Sequence, residues 1–546
     1  MATTNPTTPL LEEEEEDFVS GSVDYKGHPV HRSSSGGWRS ASFIIVVEVA
    51  ERFAYYGICS NLITYLTGPL GQSTASAAEN VNIWSGTSYL LTVLGAFVAD
   101  SFLGRYHTVL FASLIYILGL SSLTLSAVLT SLNVTACGDT KNIMSCTSPR
   151  WLVSLFFFSL YLVAVGQGGH KPCVQTFGAD QFDGQHPKES IAKSSFFNWW
   201  NFSLSVGTLS SQLILVYIQD NVNWALGFGI PAMVMVTALF IFLLGRRTYR
   251  YSNRGNEKCP FMRVFRAAQN TTQVTSSLLA PSVSIEEDQK VYNVDEAANT
   301  KQLLKLAPVW FTSLPFAISL QQSATFFTKQ GATMNRNIFL GLQVPAASLQ
   351  SLVGASGILF VPIYDIVFVP KLRSLTGKST GITMLQRIGT GMVLSALSMG
   401  IAALVEIKRL ETAREHGLVD HPDVTIPMSV LWLVPQYVLS GVGDVFAIIG
   451  LQEFFYEEVP KELRSVGISL YCTILGVGSI LSSLLVSIID KASSADNQES
   501  WFSNNLNKAH LDYFYLVLAG LSILGFTIHL YFARSYMYRH QRCDNI

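Results

Sequence analysis

The sequence is dominated by long apolar segments that recur along the whole chain and are separated by short polar breaks. An α-helix needs about 20 mostly apolar residues to cross the hydrocarbon core of a bilayer. Only 14% of the 546 residues are charged, whereas an ordinary soluble domain is about 25% charged. We therefore predict an all-α integral membrane protein with twelve spans, numbered 1 to 12, at residues 41–66, 82–103, 107–130, 151–176, 195–218, 223–245, 304–327, 345–369, 381–405, 427–455, 465–489 and 512–533.

A long polar stretch, residues 246–303, divides the predicted spans into two groups of six. Both groups carry charged side chains near the end of their second span, namely Asp100 and Arg105 in span 2 and Asp365 in span 8. Such repetition predicts a duplicated transporter fold with its substrate site between the halves, near the middle of the membrane. The predicted domains are an N-terminal tail, a six-helix bundle, a linker, a second six-helix bundle and a C-terminal tail, at residues 1–40, 41–245, 246–303, 304–533 and 534–546.

The positions of the basic residues indicate the orientation of the chain. With twelve spans, most of the 36 Lys and Arg residues fall in segments on the same side as the two termini. Cytoplasmic segments of membrane proteins are enriched in Lys and Arg. Both termini are therefore predicted to be cytosolic.

Span 1 contains three charged side chains in the stretch EVAERFAYYG, residues 48–57. Each costs roughly 2.5–3.5 kcal/mol at the centre of a membrane helix, so a set of them indicates a functional site. At helical spacing Glu48, Arg52 and Tyr55 fall on one face of the span. Glu48 and Arg52 stand four residues apart, where a carboxylate can pair with a base. Glu51 is then expected to need another cation.

The expected cation is Lys171 of span 4, which lies at a depth compatible with contact to Glu51. Asp444 of span 10 lies at a similar depth, so Lys171 can also join the two halves by pairing with Asp444. Protonation of Asp444 would then weaken the closure on the cytoplasmic side, as expected of a proton-coupled transporter. A static buried salt-bridge network is the alternative. We interpret His170 as an interior side chain rather than a proton relay.

Six motifs in this order resemble the proton-dependent oligopeptide transporter family over all twelve spans: EVAERFAYYG, GAFVADSFLGR, GGHKPCVQTFGADQFD, SFFNWWNFS, LQRIGTG and LQEFFYEEVP. The chain is most similar to the plant nitrate/peptide transporter branch and, in its stretch VDYKGHPVHRSSSGGWRSASFIIVVEVAERFAYYGI, to the fifth subfamily. The resemblance implies a major facilitator fold that works by alternating access. It also implies proton-coupling roles for the E-x-x-E-R motif, the lysine of span 4 and the carboxylate of span 10, which are Glu48, Glu51, Arg52, Lys171 and Asp444. The family usually carries Glu in span 10, so Asp444 has a shorter reach.

Two departures from the family bear on the substrate. Peptide carriers usually have an arginine two residues beyond the YYG of span 1, where this chain has Cys59, and they tend to carry an acid in span 7, where PVWFTSLPFAISLQQSATFF has none. Some plant nitrate carriers use a span 7 histidine at the position of Leu320. The candidate substrate-binding residues come from spans 1, 4 and 7 and are Tyr55, Tyr56, Cys59, Gln175, Leu320, Gln321 and Gln322.

These observations predict a proton-coupled symporter of a small anion or polar metabolite, with nitrate as the leading candidate and protons as the coupling ion, without another cofactor or a metal site. The alternatives are a di- or tripeptide carrier, a hormone or specialised-metabolite carrier, and a sensor that binds without transporting. An enzyme is not indicated, because the spans contain no H-E-x-x-H or G-x-S-x-G motif. The expected partners are the substrate, the proton and the lipid bilayer, without nucleic acid, in a monomer or weak dimer. The vacuolar membrane is the expected location, with the plasma membrane second.

Three candidate modifications lie outside the spans. Cys137 and Cys146 bracket GDTKNIMS in the loop after span 3 and are placed for a disulfide. Asn133 begins the sequon Asn-Val-Thr beside them and is a candidate for glycosylation. Free thiols and an unused sequon are the alternative. Ser284 of the linker, in SIEED, is a candidate phosphorylation site.

Overall fold

The computed structural model describes residues 18–138, 149–252, 305–338, 343–376, 382–459, 464–494 and 499–544. The predicted phosphorylation site at Ser284 and the Cys146 end of the predicted disulfide lie outside the described residues. The disulfide and the phosphorylation therefore stay predictions. Asn133 falls within the helix Arg105–Gly138 rather than in the loop that follows span 3.

The described chain is mostly helical, and ten of its helices are long and apolar enough to cross a membrane. They correspond to predicted spans 2–6 and 8–12. Their bounds are Thr74–Leu103, Arg105–Asn133, Arg150–Ala179, Pro187–Asn221, Trp224–Arg247, Ala346–Leu372, Met384–Glu415, Val430–Glu457, Val466–Ser493 and Leu511–Ser535.

Spans 1 and 7 are also helical, but neither is a single uninterrupted apolar helix. Span 1 runs over Gly37–Cys59, where it carries its three charges, and continues as the short helix Leu62–Thr67. Span 7 is broken into three short helices with a tight turn between the last two. These helices are Ala307–Thr312, Leu314–Leu320 and Phe326–Ala332.

The two halves share a local irregularity at the place where the sequence repeats. Asp100 lies in a π-helical turn at Ala99–Leu103, and Asp365 lies in a second π-helical turn at Tyr364–Phe368. A π-turn is rare and often marks a functional position in a helix. Its occurrence at the end of span 2 and at the same place in span 8 supports a duplicated six-helix unit.

The glycines of span 4 allow close helix packing. A methyl group on Gly166 would lie 2.8 Å from the Cα atom of Tyr116 in span 3, and one on Gly168 would lie 2.8 Å from the Cβ atom of Leu91 in span 2. Small residues of this kind let membrane helices approach backbone to backbone. Span 4 is thereby packed against spans 2 and 3.

The halves meet at the end of the bundle that is remote from the termini, which we call the distal end; the opposite end is the terminal end. At the distal end the Gln350 side chain donates to the Ser60 carbonyl at 2.7 Å, and the Ser348 hydroxyl donates to the Gln212 carbonyl at 2.9 Å. Two ion pairs at the terminal end, Arg105–Asp180 and Arg387–Glu453, each join spans of the same half. The halves are thus joined by hydrogen bonds at the distal end, and span 2 also packs on span 11 nearer the middle, where a methyl group on Gly476 would lie 3.0 Å from Leu90.

A small β-sheet at the terminal end was not predicted. Strand β1 (Phe18–Val23) pairs with β2 (Pro29–His31) and with β3 (Tyr251–Ser252). The segment before span 1 and the start of the linker therefore lie together in one sheet. We call residues 18–36 the N-terminal clamp. A second, two-stranded parallel sheet joins β4 (Met334–Asn335) and β5 (Ile426–Ser429) at the distal end.

Four charged side chains fix the clamp to the loop between spans 4 and 5. Arg250 is 1% exposed and donates to Glu189 at 2.7 Å and to the Ser35 carbonyl at 2.8 Å. Arg32 of the clamp lies 3.1 Å from Asp183 and 3.2 Å from Glu189. Burial of Asp183 opposes its ionisation, but hydrogen bonds from the Gln185 amide and from Arg32 outweigh burial, so the pKa of Asp183 lies below its ordinary value.

Replacing Arg250 with methionine is expected to loosen the clamp. The change leaves the half-buried carbonyl of Ser35 without its Arg250 donor, and it removes the Arg250 charge from Glu189, which keeps its contacts with the Asp183 amide and Arg32. Together these losses cost about 2 kcal/mol of unfolding free energy. Thermal unfolding of the purified variant should show a lower midpoint, whereas Arg39→Met, at an exposed arginine nearby, should leave it unchanged. Equal midpoints for both variants would contradict the clamp. Because the pKa of Asp183 is lowered, its own contribution persists at neutral pH and is lost only as the pH falls through that lowered pKa.

Candidate proton-coupling and substrate site

The three charges of span 1 form one buried cluster in the middle of the bundle. The Nε atom of Arg52 donates to Glu48 Oε1 at 2.9 Å and lies 2.9 Å from Glu51 Oε2. The predicted Glu48–Arg52 pair is therefore present. The expectation that Glu51 needs a different cation is wrong for this conformation, because the guanidinium lies between both carboxylates.

Glu51 is the most enclosed of the three. Its side chain is 0% exposed, and neither of its carboxylate oxygens has a hydrogen-bond partner among the described residues. Span 5 closes over the cluster, since a methyl group on Gly207 would lie 2.8 Å from the Cβ atom of Arg52. Glu51 therefore has ion-pair proximity to Arg52 but no hydrogen bond to hold its charge in place.

Lys171 does not form either of the ion pairs predicted for it. Its ammonium nitrogen lies 3.9 Å from the ring centroid of Tyr89 in span 2, a cation–π contact. It remains within electrostatic range of Glu51. Span 4 contains Pro172 within its helix, next to the lysine. Lys171 forms no ion pair with Asp444, which lies on span 10 of the other half.

Asp444 is half-buried on the helix Val434–Glu457. Within the described part of the chain it has no ion pair, and Tyr56 and Tyr471 lie within its electrostatic range. Lys171 is also only half-buried. Two unpaired charges at membrane depth that keep accessible surface indicate a polar space between the halves.

Aromatic rings line this space next to the charges. Tyr55 stacks on Trp84 with centroids 5.4 Å apart and meets Tyr56 edge to face at 5.4 Å. The Trp84 indole donates to the Leu160 carbonyl at 3.0 Å, which fixes the ring between spans 2 and 4. Trp84 and Tyr89 were not singled out in the sequence. Both residues lie in the stretch NIWSGTSYLL of span 2, whose mixture of polar and aromatic residues could have indicated a site. It was interpreted only as part of a membrane span.

The other predicted substrate residues differ in how far they are buried. Cys59, Gln175 and Leu320 are half-buried, and Gln321 is buried. Gln322 differs from the expectation, because it is fully buried and its amide donates to the Ile318 carbonyl at 3.1 Å and to the Ser482 hydroxyl at 3.3 Å. Its donors are thus used to join spans 7 and 11 rather than left free for a substrate.

His170, and Arg105 at the terminal end, both contact neighbouring spans of the first half. The His170 ring is buried, lies 2.9 Å from the Ser113 hydroxyl and meets Tyr116 edge to face. This agrees with an interior side chain. Arg105 pairs with Asp180, which joins the start of span 3 to the end of span 4.

Comparison with known protein families identifies a match over most of the chain. The PTR2 model, described as the POT family, matches residues 106–502. The chain is 57% identical to protein NRT1/PTR FAMILY 5.10 of Arabidopsis thaliana over 95% of this chain and 96% of that protein. It is 54% identical to NRT1/PTR FAMILY 5.14 of the same plant over 97% of this chain and 98% of that protein.

Solved structures share the fold at low sequence identity. An auto-inhibited POT family peptide transporter matches with a TM-score of 0.70 and 22% identity, over 91% of this chain and 97% of that chain. The POT family transporter PepTSo matches with a TM-score of 0.69 and 21% identity, over 92% of this chain and 98% of that chain. The major facilitator fold, the family model and the full-length plant relatives agree, and this chain belongs to the POT family of membrane transporters, in subfamily 5 of its plant NRT1/PTR branch.

Proposed function

We propose that the protein is a proton-coupled secondary active transporter that carries a small anion or polar metabolite by alternating access, with nitrate as the first candidate. The observation that carries this proposal is Glu51, a fully buried carboxylate that has no hydrogen bond among the described residues and lies beside an arginine that it shares with Glu48. A charged side chain of this kind is costly inside a membrane, so its presence favours a functional role such as proton binding.

The shared arginine suggests how the cluster accommodates a proton. When Glu51 is ionised, Arg52 balances one of two carboxylates and Lys171 lies within range of the other. When Glu51 takes up a proton, Glu48 alone neutralises Arg52, and Lys171 is released from the cluster. Proton binding in span 1 is thereby converted into a change in the partner of a lysine on span 4.

Lys171 and Asp444 provide the link to the alternating cycle. In the present conformation the lysine contacts Tyr89 and the aspartate has no ion pair among the described residues. We propose that the two pair when the terminal end closes and separate when Asp444 is protonated. The distal contacts of Ser60 and Gln350 would open in that other conformation.

The composition of the central space favours an anion over a peptide. Tyr55, Tyr56 and Cys59 offer hydroxyl and thiol groups beside the ammonium of Lys171. No acidic residue occurs in span 7 to hold a peptide amine, and Cys59 stands where peptide carriers usually have an arginine. A hormone or another specialised metabolite with an anionic group is the second candidate, because the half-buried rings of Tyr56 and Tyr89 offer aromatic surface.

The cellular setting is proposed from the sequence and the family. Both termini are proposed to be cytosolic, in the vacuolar membrane first and the plasma membrane second. A proton gradient across either membrane favours flow toward the cytosol, so substrate is expected to move in that direction with protons. A fluorescent fusion viewed in plant cells distinguishes the two membranes.

Glu51→Gln and Lys171→Ala are expected to abolish acid-driven uptake. Each removes a charge from the cycle that links protonation to closure, but neither removes the fold's packing contacts. The measurement is uptake of labelled nitrate, together with an unbiased substrate screen, in vesicles with an acidic non-cytosolic side. Glu411→Gln, at an exposed position of span 9, is the matched control and should retain uptake. Undiminished acid-driven uptake in both test variants would contradict the mechanism.

The ring of Tyr89, rather than its hydroxyl, is expected to support acid-driven uptake. The cation–π contact with Lys171 is worth about 1–2 kcal/mol when desolvated, so Tyr89→Leu should lower acid-driven uptake about tenfold. Tyr89→Phe keeps the ring and should remain within about twofold of the original protein. Exchange of labelled for unlabelled substrate without a pH gradient should fall less than driven uptake in Tyr89→Leu. Equal acid-driven uptake by Tyr89→Phe and Tyr89→Leu would contradict a role for the contact between Lys171 and the Tyr89 ring.

A further inference from the structure

A second cation lies between the two halves, far from the cluster of span 1. Lys329 is half-buried on the last helix of span 7, Phe326–Ala332. Its ammonium donates to the Thr67 hydroxyl at 3.1 Å, across from span 7 to the end of span 1. Both residues lie at the distal end, where the halves meet.

The surroundings of Lys329 are unusual because they are neutral. In the part of the chain that the structure describes, no carboxylate lies within ion-pair distance of its ammonium, and the polar groups nearby are uncharged. Thr328 and Gln350, for example, bond to each other at 2.9 Å. A partly buried cation normally carries a counter-charge, since an unpaired one is costly inside a membrane protein.

Arg336 adds a second positive charge just beyond Lys329 in the chain. It is half-buried, and its electrostatic partner among the described residues is Asp220 at the end of span 5. Asp220 is already engaged by the Asn61 amide at 2.8 Å. Among the described residues of spans 1, 5 and 7 and the segment just after span 7, the distal end therefore holds two cations, Lys329 and Arg336, and one carboxylate, Asp220, whose electrostatic partner is Arg336 rather than Lys329.

We propose that Lys329, supported by Arg336, is an anion-binding site at the distal mouth of the transport route, and that its ligand is a small oxyanion of the nitrate type. When the distal end opens, Lys329 separates from Thr67 and its donors become available to an anion from solution. A positive mouth also raises the local concentration of anions. This inference rests on the proposed function, because it places the first contact of the transported anion at this lysine.

The test is a binding titration that needs no proton gradient. Thermal unfolding of the purified full chain in detergent is followed as sodium nitrate replaces sodium gluconate at constant ionic strength. The original protein should show a saturable rise in its unfolding midpoint. Lys329→Gln should raise the half-saturating nitrate concentration at least tenfold, whereas Lys329→Arg should stay within threefold because it keeps the charge.

Thr67→Val separates anion binding from a simple latch between the halves. It removes the hydroxyl partner of Lys329 but keeps the cation, so nitrate binding should stay within threefold of the original protein. Loss of binding in Thr67→Val equal to that in Lys329→Gln would overturn the anion site in favour of a latch. An unchanged titration in Lys329→Gln, or no nitrate effect on the original protein, would also overturn it.

The two proposals can fail separately. Flux measurements with an acidic non-cytosolic side test proton coupling whether or not nitrate binds at the mouth. Nitrate binding through Lys329 without proton-driven flux would support the anion site and contradict the proposed function. Proton-driven flux of another substrate without nitrate binding would contradict the anion site but not proton-coupled transport.

Discussion

The position of Arg52 between two carboxylates is the interaction on which the rest of the site depends. One guanidinium lies 2.9 Å from Glu48 and 2.9 Å from Glu51, inside a helix that must also pack against its neighbours. Two acids and one base cannot be balanced within the cluster, so the surplus negative charge has to be met by a proton or by a cation from another span. In the proposed function, that imbalance is what makes Lys171 change partners, and it accounts for three charges that each weaken the insertion of a membrane helix.

In the part of the chain that the structure describes, no ion pair joins the two halves. The halves are joined at the distal end by neutral groups such as Gln350 with Ser60 and Ser348 with Gln212. Ion pairs at the terminal end join spans within a half. Neutral hydrogen bonds of this kind contribute about 1 kcal/mol each, which is strong enough to define a state and weak enough to be exchanged in a cycle.

The first bundle is braced at its terminal end in a way that has no counterpart among the described residues of the second. Arg250 is buried against Glu189 and the backbone of the N-terminal clamp, so the segment before span 1, the loop between spans 4 and 5 and the start of the linker form one unit. In the second bundle the corresponding buried arginine lies at the distal end, where Arg409 pairs with Glu406 at 2.6 Å and bonds to Asn507 at 3.0 Å. The two halves are thus related in their spans but stabilised at opposite ends.

The sequence by itself determined the helical membrane fold, its division into two groups of spans and the residues of the central cluster, because hydrophobic length and buried charge are local properties of a segment. It also identified the Glu48–Arg52 pair, since four-residue spacing fixes that contact within one helix. It could not show that Arg52 also meets Glu51, that Lys171 lies on Tyr89 instead of Asp444, or that Gln322 is used between spans 7 and 11. Glu51 and Arg52 are neighbours in one helix, so their contact depends on side-chain conformations that the surrounding helices set. The other partners come from different helices, and only helix packing decides which of these side chains face one another.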